Sequence, residues 1–126
     1  DALNGLARLL MRDTRTAAEG VAVVEQIRTA MPLDRLQPEV QATVSEAYRR
    51  AGRPTEALTV IKRSINQNPD AAVLRLEFAA ALVESFPKDP VKARQAKEEL
   101  RRAAELRLPA NRLTEFDALS AKLENS

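Results

Sequence analysis

The sequence predicts an all-α chain of stacked helix pairs, and three observations carry that prediction. Residues 38–71, PEVQATVSEAYRRAGRPTEALTVIKRSINQNPDA, read without a gap as one helix–turn–helix unit. The same order of small and apolar residues recurs on either side of it. No run alternates apolar and polar residues with period two, the mark of a half-buried strand.

In the first helix of the central unit, Val44, Ser45 and Tyr48 share one stripe by i, i+3/i+4 spacing. Ala57, Ile61 and Ser64 share one on the second. Gly52, Arg53 and Pro54 separate the two helices: glycine accepts positive φ just past a helix end, and proline suits a first helical turn because it leaves no N–H unpaired. Asn68-Pro69-Asp70 stops the second helix. A small residue at Ala57 lets the helices approach, while Tyr48 and Ile61 supply most of the buried area.

Upstream, Leu3, Leu6, Ala7 and Leu10 supply a first helix, and Gly20, Val24, Ile27 and Pro32 repeat the pattern of Ala57, Ile61, Ser64 and Pro69. Downstream, Phe78, Ala79 and Leu82 mark a third first helix, and Ala96, Leu100, Ala103 and Pro109 its partner. The segment Glu84 to Gln95 is longer than the corresponding turn by about five residues. Asp89-Pro90 is a cap followed by a first-turn proline, so the extra length is expected to lengthen the second helix by a turn. Last, Leu113, Phe116, Leu119 and Leu123 fall at helical spacing, with Asn111 or Thr114 available as N-cap. A stack of helix pairs needs a terminal element over its final apolar face, and residues 111–124 are expected to be that capping helix.

The central unit resembles the tetratricopeptide repeat, whose 34-residue signature runs from a small residue through Tyr and Ala-x3-Phe to Pro. Ser45, Tyr48, Ala57, Ile61 and Pro69 stand at those positions, with Gly52 at the turn; Gln41 replaces the usual Trp and Val44 the usual Leu. The resemblance implies a right-handed α-solenoid of about three such pairs plus the cap, about seven helices in one domain over residues 1–126. Its repeats would span approximately 1–34, 38–71 and 72–109. The long second helix, Leu108-Pro109 and the closing amphipathic helix also resemble the C-terminal end of large bacterial repeat proteins. The chain opens at Asp1 rather than Met, so we expect it to be part of something longer, with room for a leader, anchor or catalytic domain outside it.

Composition narrows the chemistry. Hydrophobic residues make up 44% and charged residues 30%, the balance of an ordered chain; with only Tyr48, Phe78, Phe86 and Phe116 as aromatics, the core must be aliphatic. There is neither cysteine nor histidine. Disulfides, thiolate chemistry, imidazole-bound metals and His-based general-base catalysis are therefore excluded, and no cofactor is expected. Lys and Arg number 20 against 18 acidic residues. The only Arg-Arg pairs, Arg49-Arg50 and Arg101-Arg102, are diluted by Glu46 and by Glu98-Glu99, so nucleic-acid binding is not expected. No apolar run is long enough to cross a membrane. Cysteine absence fits periplasm and cytoplasm alike.

Catalytic candidates are poor. Ser45, Ser64, Ser85, Ser120 and Ser126 have no histidine to activate them. Adjacent carboxylates such as Glu98-Glu99 diverge by roughly 100° on a helix. An enzyme is not expected.

By the resemblance, the first helix of each pair lines an inner, concave face. It would show Asn4, Arg8 and Met11, then Ala42, Glu46 and Arg49, then Val73, Leu76, Ala80 and Val83. The segment AAVLRLEFAAALVESF, residues 71–86, is apolar almost all round and must bury both faces or expose one. Leu76, Ala80 and Val83 would then floor a groove for a partner's helix or peptide, or be ordinary core. Arg8, Glu46, Arg49 and Arg50 would form a polar rim. Some family members grip a C-terminal carboxylate with Lys and Asn at inner positions; Ala42, Thr43 and Glu46 stand there instead, and Glu46 would repel it. The expected function is a protein-interaction scaffold. The rival is a structural spacer or C-terminal cap of a longer array in a bacterial envelope or secretion assembly. Exposure of Leu3, Leu6 and Leu10 would favour the rival, and self-association into a homodimer through uncovered ends is a further expectation.

Overall fold

The computed structural model describes residues 2–11 and 16–124, without the side chains of residues 2, 3, 11 and 17. The side chains of Leu3 and Met11, and Ser126 altogether, lie outside the described residues. Seven α-helices and no strand are found among them. In order these are α1 (Ala2–Met11), α2 (Ala17–Ala30), α3 (Pro38–Arg50), α4 (Pro54–Gln67), α5 (Ala72–Ser85), α6 (Pro90–Glu105) and α7 (Leu113–Glu124). Short 3-10 turns at Leu33–Arg35 and Ala110–Arg112 precede α3 and α7.

The most extensive packing is of α1 on α2, α3 on α4 and α5 on α6; α5 also packs on α3 and α4, and α3 on α1 and α2. Inside the central unit, Val44, Ser45, Ala57, Ile61 and Ser64 are all completely buried, with Tyr48 nearly so. Burial of a side chain such as Ile61 is worth about 1.5–3 kcal/mol, so this small cluster anchors the pair. Gly52 takes φ 77°, as the turn requires. Val24, Ile27, Phe78, Ala79, Leu82, Ala96, Leu100 and Ala103 are buried in their own pairs, as their spacing predicts.

Several expectations are corrected. Leu6 is 45% exposed and Leu113 is 49% exposed, so the first and last apolar stripes are each narrower than their spacing predicts. Burial falls instead on Arg112 in the turn before α7 and on Leu123 near its end, with Phe116 and Leu119 packed against the core between them. Asn111 lies in the 3-10 turn and Thr114 inside the first turn of α7, so neither precedes the helix as a cap. The third pair is not longer by a full turn of its second helix. Its helices have 14 and 16 residues against 13 and 14 in the central pair, and the connection 86–89 is one residue longer than 51–53. Asp89 does cap α6, its Oδ1 accepting from the N–H groups of Val91 at 2.9 Å and Lys92 at 3.3 Å.

α5 is the central helix. Every residue from Ala72 to Ala79 is buried, because α3, α4 and α6 surround it. Two of those buried residues are charged. Arg75 donates to Glu99 on α6 at 2.9 and 3.3 Å and to the Pro69 carbonyl at 2.9 and 3.2 Å, tying α5 to α6 and to the turn before it.

Candidate functional site

The helical repeat places Glu46, Arg49 and Arg50 within about one turn of α3, and Glu77, Ala80, Val83 and Glu84 along one side of α5. Glu115, Ala118, Leu119 and Lys122 recur at i, i+3, i+4 and i+7 on α7. These three sets, with Leu76, enclose an open cavity of about 220 Å³. The closing helix therefore lies across the face of α3 and α5, in addition to its packing on α6.

Fixed charges frame this cavity. Arg49 holds Glu77 in a bidentate pair, Nε to Oε2 at 3.0 Å and Nη2 to Oε1 at 2.9 Å, and its Nη1 reaches Glu84 at 2.7 Å. The Ser45 hydroxyl donates to Glu77 at 2.9 Å. Burial pushes the Glu77 carboxyl above the usual glutamate range; Arg49 and Ser45 pull against it, and Glu46 adds to the rise. Burial opposes the Arg49 charge, but Glu77 and Glu84 outweigh it and hold that guanidinium above its ordinary range.

A second cluster joins three helices. Arg8 on α1 lies 2.6 Å from Glu115 on α7, 3.6 Å from Glu46 and 3.8 Å from Glu39, both on α3. Arg112, 3% exposed, pairs with Glu39 and with Glu115, the latter at 3.1 Å. Burial opposes its charge, and the hydrogen bond to Glu39 more than offsets that. Arg50 completes the group by donating to Glu46 at 3.0 Å.

The structure thus brings the expected residues together but gives them different states. Arg8 and Glu46 lie in one ion-pair cluster and Arg49 in another, each facing opposite charges within the molecule. Val73 and Leu76 are buried, 7% and 3% exposed, and of the two only Leu76 contributes to the cavity lining. Ala80 and Val83 are half-buried at the cavity. Of the remaining inner positions, Asn4 and Ala42 are buried, and the side chain of Met11 is outside the described residues. Ser45 and Ser64 are buried at helix contacts, Ser64 donating to the Val60 carbonyl at 2.9 Å. Among the described residues, no group of three or more carboxylates is placed to hold a metal ion.

Spacing alone did not reveal a second cavity of about 540 Å³ where the end of α5, the start of α6 and the end of α7 meet. Val83, Phe86, Ala93 and Leu123 contribute its apolar surface, and Lys88, Arg94, Lys97 and Lys122 its cations. Those four residues are scattered over three elements. Only the i, i+3 spacing of Arg94 and Lys97 was a signal in the sequence. No helix of the described residues is long and apolar enough to cross a membrane. No protein-family model matches the sequence, and no curated protein matches it.

Proposed function

We propose that the protein is a helical-repeat interaction scaffold: a right-handed α-solenoid of three tetratricopeptide-like pairs that holds a partner's peptide or helix on the face of α3 and α5. The observation that carries this reading is the seat of α7. An amphipathic helix already lies across that face, with Phe116 and Leu119 partly buried and Glu115 paired with Arg8. Beside it a cavity stays open over Ala80 and Val83. Such a surface is preorganised by its ion pairs, so a docking segment finds it already ordered. The reading assigns no catalytic step, since the buried serines serve helix contacts.

The test is site-specific cross-linking. A photoreactive residue at Ala80 should capture a discrete partner polypeptide, and one at the exposed Lys62 on α4 should not. Ala80→Glu should abolish that capture while leaving the helical spectrum intact. Equal labelling from both positions would sink the proposal.

One observation favours the rival reading of a spacer or cap in a longer bacterial array. Of the residues named for this test, Leu6 is 45% exposed and Leu10 is half-buried, and Leu9 beside them is 63% exposed, an apolar strip that a further helix pair or a second copy would cover. Leu9→Glu should then abolish self-association in sedimentation at high concentration. Sedimentation as a monomer at every concentration, in both wild type and variant, removes the homodimer from consideration.

A further inference from the structure

The cavity at the end of α5 differs in kind from the polar face beside it. There, arginines are matched by glutamates. Here, Lys88, Arg94, Lys97 and Lys122 form no ion pair or side-chain hydrogen bond among the described residues. Asp89 is the one carboxylate among the described lining residues, and its Oδ1 is taken by the cap of α6. Four cations against one anion give this lining a net charge of three, more than the +2 of the whole chain. The excess positive charge of the protein is therefore concentrated at one opening. Two further features add to it. The N-terminus of the 16-residue α6 lies in the wall at Pro90, with the positive end of its dipole. The Lys92 ammonium sits 5.1 Å from the centre of the Phe86 ring.

The floor is the opposite in character. Val83, Phe86, Ala93 and Leu123 present apolar surface inside about 540 Å³, within the size range of pockets that enclose a ligand group. A simple anion would leave that floor wet, and an uncharged apolar group would leave the cations unanswered. We infer that this pocket binds an acidic peptide segment of a partner protein, one bulky Phe or Leu side chain seated in the cavity and flanking Asp or Glu side chains on the basic rim. A recessed floor suits a single anchoring side chain better than a flat lipid surface. Cations on three different elements surround a point, whereas a phosphodiester backbone needs them along a track. Val83 and Lys122 line both cavities, so a peptide anchored here would continue onto the face of α3 and α5. The inference rests on the scaffold reading and adds to it the charge and anchor of the partner.

Fluorescence anisotropy tests it with a labelled peptide DEDFLDE, set against the neutral NQNFLNQ and the anchorless DEDSSDE. The test variant is Arg94→Glu combined with Lys97→Glu. Both residues are exposed and make no ion pair among the described residues, so the fold should survive; circular dichroism and the melting temperature verify this. DEDFLDE should bind the wild type, at least about tenfold more weakly at physiological than at low salt. The double variant and each control peptide should lose about tenfold or more. Equal affinity for DEDFLDE and NQNFLNQ, or no effect of the double variant, would overturn the proposal. So would anionic vesicles or a single-stranded oligonucleotide binding with that dependence on Arg94 and Lys97 when the peptide does not. Cross-linking from Ala80 that persists while no acidic peptide binds overturns the pocket alone and leaves the scaffold reading standing.

Discussion

Glu77 sits on the side of α5 that meets α3, in a helix with no exposed turn before its C-terminal end, so its charge survives only through Arg49 and Ser45. Removing one partner of a buried pair leaves an uncompensated charge. Arg49→Ala should therefore destabilise the fold by about 3 kcal/mol near neutral pH, measured by urea denaturation. The pH dependence follows from the direction of the Glu77 shift. Its folded value lies above the ordinary 4.5, so its stabilising contribution is complete below 4.5 and lost as pH rises through the folded value. Without Arg49 the folded value rises further. The loss caused by Arg49→Ala should thus be smaller at pH 4.5 than at pH 7.5, and a loss that grows on acidification would contradict the assignment. Spacing made Ser45, Tyr48, Ala57 and Ile61 readable because small and apolar residues report contact directly. It did not reveal Glu77, because a charged residue in a helix reads as solvated until the helices around it are known. Gln41 is a similar case. It is fully buried and donates to the Leu33 carbonyl at 2.9 Å and to Gln67 at 3.2 Å, and it accepts from Asn68 at 3.2 Å. A polar side chain ties the start of α3 to the end of α4 where a large apolar one would have filled space.

The turns decide how the elements follow one another, and two of them use positive φ. Gly52 at 77° has nothing within 4 Å of where a Cβ would stand, so Gly52→Ala should cost only the backbone penalty, about 1 kcal/mol. Arg107 adopts φ 67° just after α6 with no glycine to ease it. Its N–H donates to the Ala104 carbonyl at 3.2 Å, a helix-ending bond that holds it there. Arg107→Gly should stabilise the protein by about 0.5–1 kcal/mol, and thermal melts of the two variants should shift in opposite directions. A fall in melting temperature for Arg107→Gly would show that its side chain matters more than its backbone. Gly52 could be read from the sequence because glycine after a helix has few other uses. Arg107 could not, because nothing in an arginine marks positive φ. The same limit hid the route of α7: periodicity shows that Phe116, Leu119 and Leu123 face something, but Arg112 and Glu115, which point the helix toward α1 and α3, look like ordinary surface charges.

At the scale of the molecule, α7 closes contacts far apart in sequence. Arg112 and Glu115 reach back to Glu39 and Arg8, while Leu123 is buried at the other end of the helix. In a chain of local pairs, terminal elements are the first to open, so α7 should exchange its amide hydrogens faster than α3 and α4. How much faster depends on Arg112. Its partners Glu39 and Glu115 have side chains 39% and 38% exposed, and solvent screens them, so the pairs are worth less than a fully buried bridge. Arg112→Ala should then weaken α7 by about 1–2 kcal/mol, a fall of about 5–30-fold in its protection. Protection across Val44 to Ile61 should stay unchanged, because the Arg49–Glu77 pair and the Ala57–Ile61 contacts do not involve α7. If α7 instead opens only together with α3 and α4, the molecule is one cooperative unit and α7 is an integral layer of it. If α7 opens alone, the face of α3 and α5 gains length each time it does, and the variant should take up a face-directed partner faster than the wild type in stopped-flow mixing.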